Sequence, residues 1–148
     1  MQGNVVLLNG CSSAGKTTLA LELQAISNEP FQHIALDQFR DGLPPSLRGL
    51  NSPEDDPGSR GLNVVPMVKN GKLVTSIKFG DYGEEVLKVM RRAVAQLAKA
   101  GCSVVVDDIL FEKKYLIDYA NVLEPKTSWL VAVKCDLDIV RARETKRS

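Results

Sequence analysis

The sequence predicts a three-layer α/β fold with a parallel sheet, and three observations lead to it. Short, unbroken apolar runs alternate with stretches of helical spacing; the first run ends in a glycine-rich loop that opens a helix; and the run Val104-Val105-Val106 ends in paired aspartates. A short apolar run without alternation fits a strand covered on both faces, the environment of a parallel sheet flanked by helices. Right-handed crossovers then carry the chain from strand to strand.

Val5 to Leu8 reads as the first strand, ending at Asn9-Gly10. From Lys16 the spacing becomes helical, with Leu19, Ala20, Leu23 and Ile26 on one side until Asn28 to Pro30 stops it. His33 to Leu36 reads as a second strand ending at Asp37, followed by a weak helical turn and the breaker Gly42-Leu43-Pro44-Pro45. Residues 46–62 hold few apolar anchors and read as an exposed, mobile insert. Val64 to Met67 and Leu73 to Ile77 flank Lys69-Asn70-Gly71-Lys72, whose Asn-Gly pair predicts a two-residue turn and a small β-hairpin insert. An amphipathic helix is expected from Asp81 to Ala100, with Val86, Val89, Met90, Ala93, Val94 and Leu97 on its apolar side and Gly101 as its C-terminal cap. Ser103 to Val106 is then a buried strand, Lys113 to Val122 a helix, Trp129 to Val133 a strand and Leu137 to Lys146 a charge-rich helix.

The chain has 148 residues, 44% of them hydrophobic, enough for one core, so a single domain is expected. Nineteen Lys and Arg face 18 Asp and Glu, and the net charge of +1 provides no global attraction to nucleic acid, membranes or acidic partners. Any phosphate site must therefore be local. Cys11, Cys102 and Cys135 lack the spacing of a disulfide framework or zinc site, and His33, the single histidine, is expected to pack. With no signal-like start and no apolar run of membrane length, the expectation is a cytoplasmic protein. Oligomeric state is not legible.

Gly10-Cys11-Ser12-Ser13-Ala14-Gly15-Lys16-Thr17 meets every requirement of GxxxxGK[ST], and lies between a predicted strand and a predicted helix. Polyphosphate carries dense negative charge, so its site needs inward-turned backbone N–H groups, a helix N-terminus and a fixed cation. The spacing assigns the cradle to Gly10, Cys11, Ser12, Ser13, Ala14 and Gly15, the β- and γ-phosphates to Lys16, Mg²⁺ to the Thr17 hydroxyl and the neighbourhood of the α-phosphate to Thr18. ATP and Mg²⁺ are thus the implied cofactors.

Acids at the carboxyl ends of parallel strands face such a site. Asp37 is a candidate to accept the proton of an attacking hydroxyl, with helix capping as the plainer role. Asp107 and Asp108 have the setting of a Walker B segment that holds magnesium, but successive strand residues point to opposite faces, so one of the pair serves and the sequence does not say which. Arg143 and Arg147 stand four apart on the last helix, on one face, where they either clamp a transferring phosphoryl group or form a solvated surface.

Together, Leu8-Asn9-Gly10-Cys11-Ser12-Ser13-Ala14-Gly15-Lys16-Thr17, Asp37, Leu43-Pro44-Pro45, Val105-Val106-Asp107-Asp108 and Cys135-Asp136 through Arg141-Ala142-Arg143-Glu144 resemble the chloramphenicol phosphotransferase-like family over nearly the whole chain. The resemblance implies ATP-dependent phosphorylation of a hydroxyl on a small molecule, with Asp37 as general base and Arg143 and Arg147 in a lid. A chloramphenicol-like antibiotic, and with it antibiotic resistance, is one implied acceptor class, but nothing from Leu43 to Phe79 ties the chain to it. The family pattern also implies a further strand and a closing helix after the arginines, C-terminal elements missing from a chain that ends at Ser148.

Two alternatives differ in acceptor or in purpose. A nucleotide or nucleoside kinase would stack a base on aromatic residues, which make up 5% of the chain. A regulatory nucleotide-binding module of the GTPase kind would carry Asn-Lys-x-Asp, but Val133 replaces the asparagine in Val133-Lys134-Cys135-Asp136, and Phe111 replaces the glycine three residues beyond Asp108.

Overall fold

The computed structural model describes residues 1–147, and side chains through Thr145 and Lys146. It comprises two compact units, Met1–Leu36 together with the chain from Arg91 onward, and Asp37–Met90.

The first unit is organised by strands β1 (Val5–Asn9), β2 (Phe31–Ala35), β6 (Ser103–Asp108) and β7 (Ser128–Ala132), which form one sheet in the order β2-β6-β1-β7. Every pairing is parallel. All six residues of β6 are buried, which is why its middle, Val104–Val106, is an unbroken apolar run rather than an alternating one. β7 lies at the edge, and Trp129 and Leu130 remain about half exposed. Helix α1 (Lys16–Ile26) packs through Ala20 and Leu23 with Leu8 and Val105 in one apolar cluster. Helices α5 (Lys113–Val122) and α6 (Leu137–Arg147) fall where the periodicity puts them.

The second unit holds the short helices α2 (Leu36–Asp41) and α3 (Pro57–Arg60), and strands β3 (Arg48–Leu50), β4 (Leu62–Lys69) and β5 (Lys72–Phe79). Strands β4 and β5 pair antiparallel from Leu62–Phe79 to Lys69–Lys72, and Asn70 and Gly71 at their turn have φ of 53° and 72°. That is the left-handed pair a tight hairpin turn requires. β3 adds a third, parallel strand to this hairpin.

Helix α4 (Asp81–Lys99) ends in a left-handed Gly101, with Cys102 N donating to Leu97 O at 3.0 Å and Gly101 N to Ala98 O at 3.0 Å. This double closure is the glycine-capped ending that the sequence leads one to expect.

Two expectations need correction. The second strand runs Phe31–Ala35 rather than His33 to Leu36, so Asp37 does not end a strand but lies in the first turn of α2. Residues 46–62 are mostly exposed, as expected, but they also contain β3 and α3 and are pinned by Asn63. The buried Asn63 side chain accepts from Ser52 N at 3.0 Å and donates to Ser52 O at 2.9 Å, so a polar residue anchors what apolar ones do not. Asn63→Ala should therefore cost about 2 kcal/mol, the net worth of two hydrogen bonds whose backbone partners would be left unpaired. Urea denaturation monitored by circular dichroism checks this, and a lower midpoint with an unchanged slope is the expected outcome.

Candidate active site

The glycine-rich loop that the sequence marks as a candidate phosphate site begins where β1 ends. Asn9 holds its neighbours through both backbone and side chain: Val133 N donates to its carbonyl at 2.7 Å, and Leu110 N to its Oδ1 at 3.1 Å. Gly10 then passes so close to β7's end that a Cβ would stand 2.5 Å from Val133 O, which excludes any side chain there. Ser13 and Gly15 take positive φ of 57° and 102°, turning the loop into α1. Gly15 is the N-cap and makes no side-chain cap bond, so no side chain at that position consumes the first N–H groups of α1.

Lys16 is buried, and its ammonium donates to Cys11 O at 3.0 Å and lies 3.7 Å from Asp107 Oδ1. A buried cation is tolerable only when paired, and Asp107 supplies the counter-charge. The Thr17 hydroxyl donates to Asp107 Oδ2 at 2.5 Å. One carboxylate thus touches both Lys16 and Thr17, the candidate residues at the end of the loop.

The strand register explains why it is this aspartate. Asp107 stands opposite Leu8 and Ala35, and Asp108 opposite Asn9, at the carboxyl ends of three parallel strands. Alternation sends the two side chains to opposite faces. Asp108 Oδ1 accepts from Ile109 N at 2.7 Å and Oδ2 from the Tyr119 hydroxyl at 2.9 Å. Asp108, a metal candidate from sequence, is thereby directed to Tyr119 and its own backbone rather than to Thr17. Burial pushes its carboxyl above the usual range, against the bonds from Tyr119 and Ile109 and the nearby Arg91 charge. Burial and the Asp108 charge together push the Tyr119 phenol well above its ordinary value.

Arg91, only 1% exposed, completes this buried group. Its Nη1 donates to Asp118 Oδ2 at 3.1 Å, and its guanidinium lies 4.3 Å from the Tyr115 ring centroid and 5.6 Å from that of Tyr119. Sequence reading missed it, because the apolar periodicity of α4 ranks an arginine as solvent-facing. The tyrosines at 115 and 119, spaced four apart on α5, were the available signal.

From α6, Arg143 Nη1 donates to Ser13 O at 3.0 Å and contacts Cys135 Sγ at 3.8 Å. Glu144, to which the motif assigns nothing, accepts from the hydroxyls of Ser12 and Ser13. The Arg147 side chain lies outside the described residues. Thr18 follows Thr17 on α1 and is exposed. In the other unit, Asp37 is exposed and ion-paired with Arg40 at 2.8 Å. The next residues of its helix, Gln38 and Phe39, line a cleft of about 240 Å³ with Gly42, Leu43, Tyr82 and Val86. Among the described residues no cluster of three or more His, Cys, Asp or Glu is placed to hold a metal by itself, and no helix is long and apolar enough to cross a membrane.

The chloramphenicol phosphotransferase-like protein model matches residues 3–148. The chain belongs to that family. Two proteins from Mycobacterium tuberculosis strains CDC 1551 / Oshkosh and ATCC 25618 / H37Rv, provisionally named O-phosphotransferases, are each 30% identical over 156 residues. These alignments span 99% of this chain and 64% of each relative, so the chain is about two-thirds as long as the family members it matches. An unliganded sugar kinase structure from Janibacter sp. HTCC2649 superposes with a TM-score of 0.61 at 16% identity, covering 99% of this chain and 68% of that one. A provisionally described kinase from Chloroflexus aurantiacus j-10-fl gives 0.61 at 14% identity, covering 99% and 66%. At those identities the likeness establishes the α/β fold alone.

Asp108 generates a pH prediction. Its folded-state pKa is raised, so the native state holds its proton more tightly than the unfolded chain, and stability from this group falls as pH rises from the ordinary aspartate value, about 4, through the raised one. Unfolding free energies of Asp108→Asn and wild type, measured between about pH 4 and pH 7, should therefore shift in the variant's favour as pH increases.

Proposed function

We propose that this chain is the catalytic core of an ATP- and Mg²⁺-dependent phosphotransferase that delivers the γ-phosphoryl group to a hydroxyl of a small molecule. The observation that supports it most is the single carboxylate of Asp107 touching both Lys16 and Thr17, at 3.7 and 2.5 Å. A glycine turn with no chemical purpose gives no reason to bury an ammonium beside a threonine hydroxyl and an aspartate.

Thr17 and Asp107 are the pair suited to Mg²⁺: both offer hard oxygens, already together at the mouth of α1. When bound, the metal neutralises charge on the phosphate oxygens. The backbone of residues 10–15 and the free start of α1 hold the polyphosphate, and Lys16 bears on the phosphoryl group in transfer. Arg143, which already reaches the Ser13 carbonyl, is positioned to add a second cation at the loop, and Arg147 is assigned the same part by its place one helical turn further on.

Asp37 is the proposed proton acceptor. The acceptor molecule is assigned to the cleft beside it on α2, where Phe39, Leu43, Tyr82 and Val86 offer an apolar lining and Gln38 a polar group. That lining suits a hydroxyl-bearing compound with an apolar or aromatic body, a class that includes chloramphenicol-like antibiotics. Transfer is direct and in line, with no phosphoenzyme.

Screening hydroxyl-bearing antibiotics, sugars and nucleosides for ATP consumption and phosphorylated product tests the activity, and no turnover with any of them would overturn it. On an acceptor so found, Lys16→Ala should reduce kcat/KM by about two orders of magnitude or more. Asp37→Asn should abolish transfer while leaving the calorimetric Kd for ATP unchanged, and undiminished turnover would remove Asp37 as the base.

A further inference from the structure

Glu144 makes two contacts to the phosphate loop, from Ser12 Oγ at 2.7 Å and Ser13 Oγ at 2.6 Å, both shorter than the 3.0 Å bond of its neighbour Arg143 to Ser13 O. We infer that Glu144 is a built-in counter-anion of the loop, a determinant of nucleotide affinity that incoming phosphates must displace.

A single oxygen, Glu144 Oε1, accepts from both hydroxyls, so it bridges consecutive residues of the segment that would wrap the polyphosphate. The attraction that draws phosphate to this loop, from Lys16 and the uncapped start of α1, acts on a carboxylate as well. Arg143 reaches over the same segment: besides its bond to Ser13, its Nη1 would lie 3.7 Å from a Cβ at Gly15. Two adjacent residues of α6 thus bring opposite charges to one loop. Arrival of a polyphosphate reverses their value, since it repels Glu144, competes for the Ser12 and Ser13 hydroxyls and attracts Arg143.

The burial of α6 fits such an exchange. From Leu137 to Lys146 only Val140 is half-buried and the other residues are exposed, so polar contacts carry much of the helix's attachment. A helix held that way can exchange one set of partners for another at little cost in apolar burial.

This inference rests on the nucleotide reading above. The test is calorimetric binding of a non-hydrolysable ATP analogue with Mg²⁺ to wild type, Glu144→Ala, Glu144→Gln and, as a control for the loop itself, Lys16→Ala. Glu144→Ala should bind about tenfold more tightly than wild type, as expected from losing charge-assisted bonds at an exposed site. Glu144→Gln keeps an acceptor for the hydroxyls but no charge, and should also bind more tightly, by about threefold. Since Glu144 is exposed, both variants are expected to fold, which circular dichroism checks. If wild type binds, Lys16→Ala does not, and both Glu144 variants equal or fall below wild type, the counter-anion role is overturned and the nucleotide reading stands. If no form binds nucleotide, that reading fails and takes the Glu144 inference with it.

Discussion

Everything at the candidate phosphate loop depends on a buried ammonium having a counter-charge. Lys16 has little access to water, and leaving such a cation unpaired in a protein interior would cost several kcal/mol. Asp107 answers it, and in doing so also takes the Thr17 hydroxyl. The carboxylate can serve both because β6 lies beside β1 in parallel register, with Asp107 opposite Leu8, two residues before the loop opens. A shift of that register by one residue would put Asp108 opposite Leu8 and turn Asp107 to the opposite face of the sheet.

The two faces of β6 consequently do different work. On one, Asp107 is part of the candidate chemistry. On the other, Asp108, Tyr119, Arg91 and Tyr115 form a buried polar and aromatic group, with half-buried Asp118 at its rim, that joins Arg91 of α4 to α5. Among the described residues, Arg91 Nε and Nη2 lack hydrogen-bond partners, so stacking on the tyrosine rings offsets part of what the guanidinium loses on burial.

The helices on this sheet are attached in different currencies. α1 is packed by Ala20 and Leu23 against Leu8 and Val105, whereas α6 reaches the loop through Arg143 and Glu144. Apolar packing fixes α1 as the rigid base of the cradle, and polar attachment gives α6 contacts that respond to charge.

The sequence by itself determined the parallel α/β architecture, the hairpin turn at Asn70-Gly71, the Gly101 helix end and the place of the glycine-rich loop between β1 and α1. Each of these follows from local rules: unbroken apolar runs, left-handed backbone demanded by a turn or cap, or a motif whose spacing is its geometry. The second strand was placed two residues late at its start and one late at its end, the latter because Leu36 continues the apolar run even though it begins α2. The third strand of the second sheet, β3, was illegible because Asn63, not an apolar pattern, anchors residues 46–62. Only the tertiary structure turned Asp107 to Thr17 and Asp108 to Tyr119, buried Arg91, and brought Glu144 to Ser12 and Ser13 across more than 130 positions of chain. Propensity and periodicity act over a few residues, whereas the partner of a charge is chosen by which strands and helices meet in space.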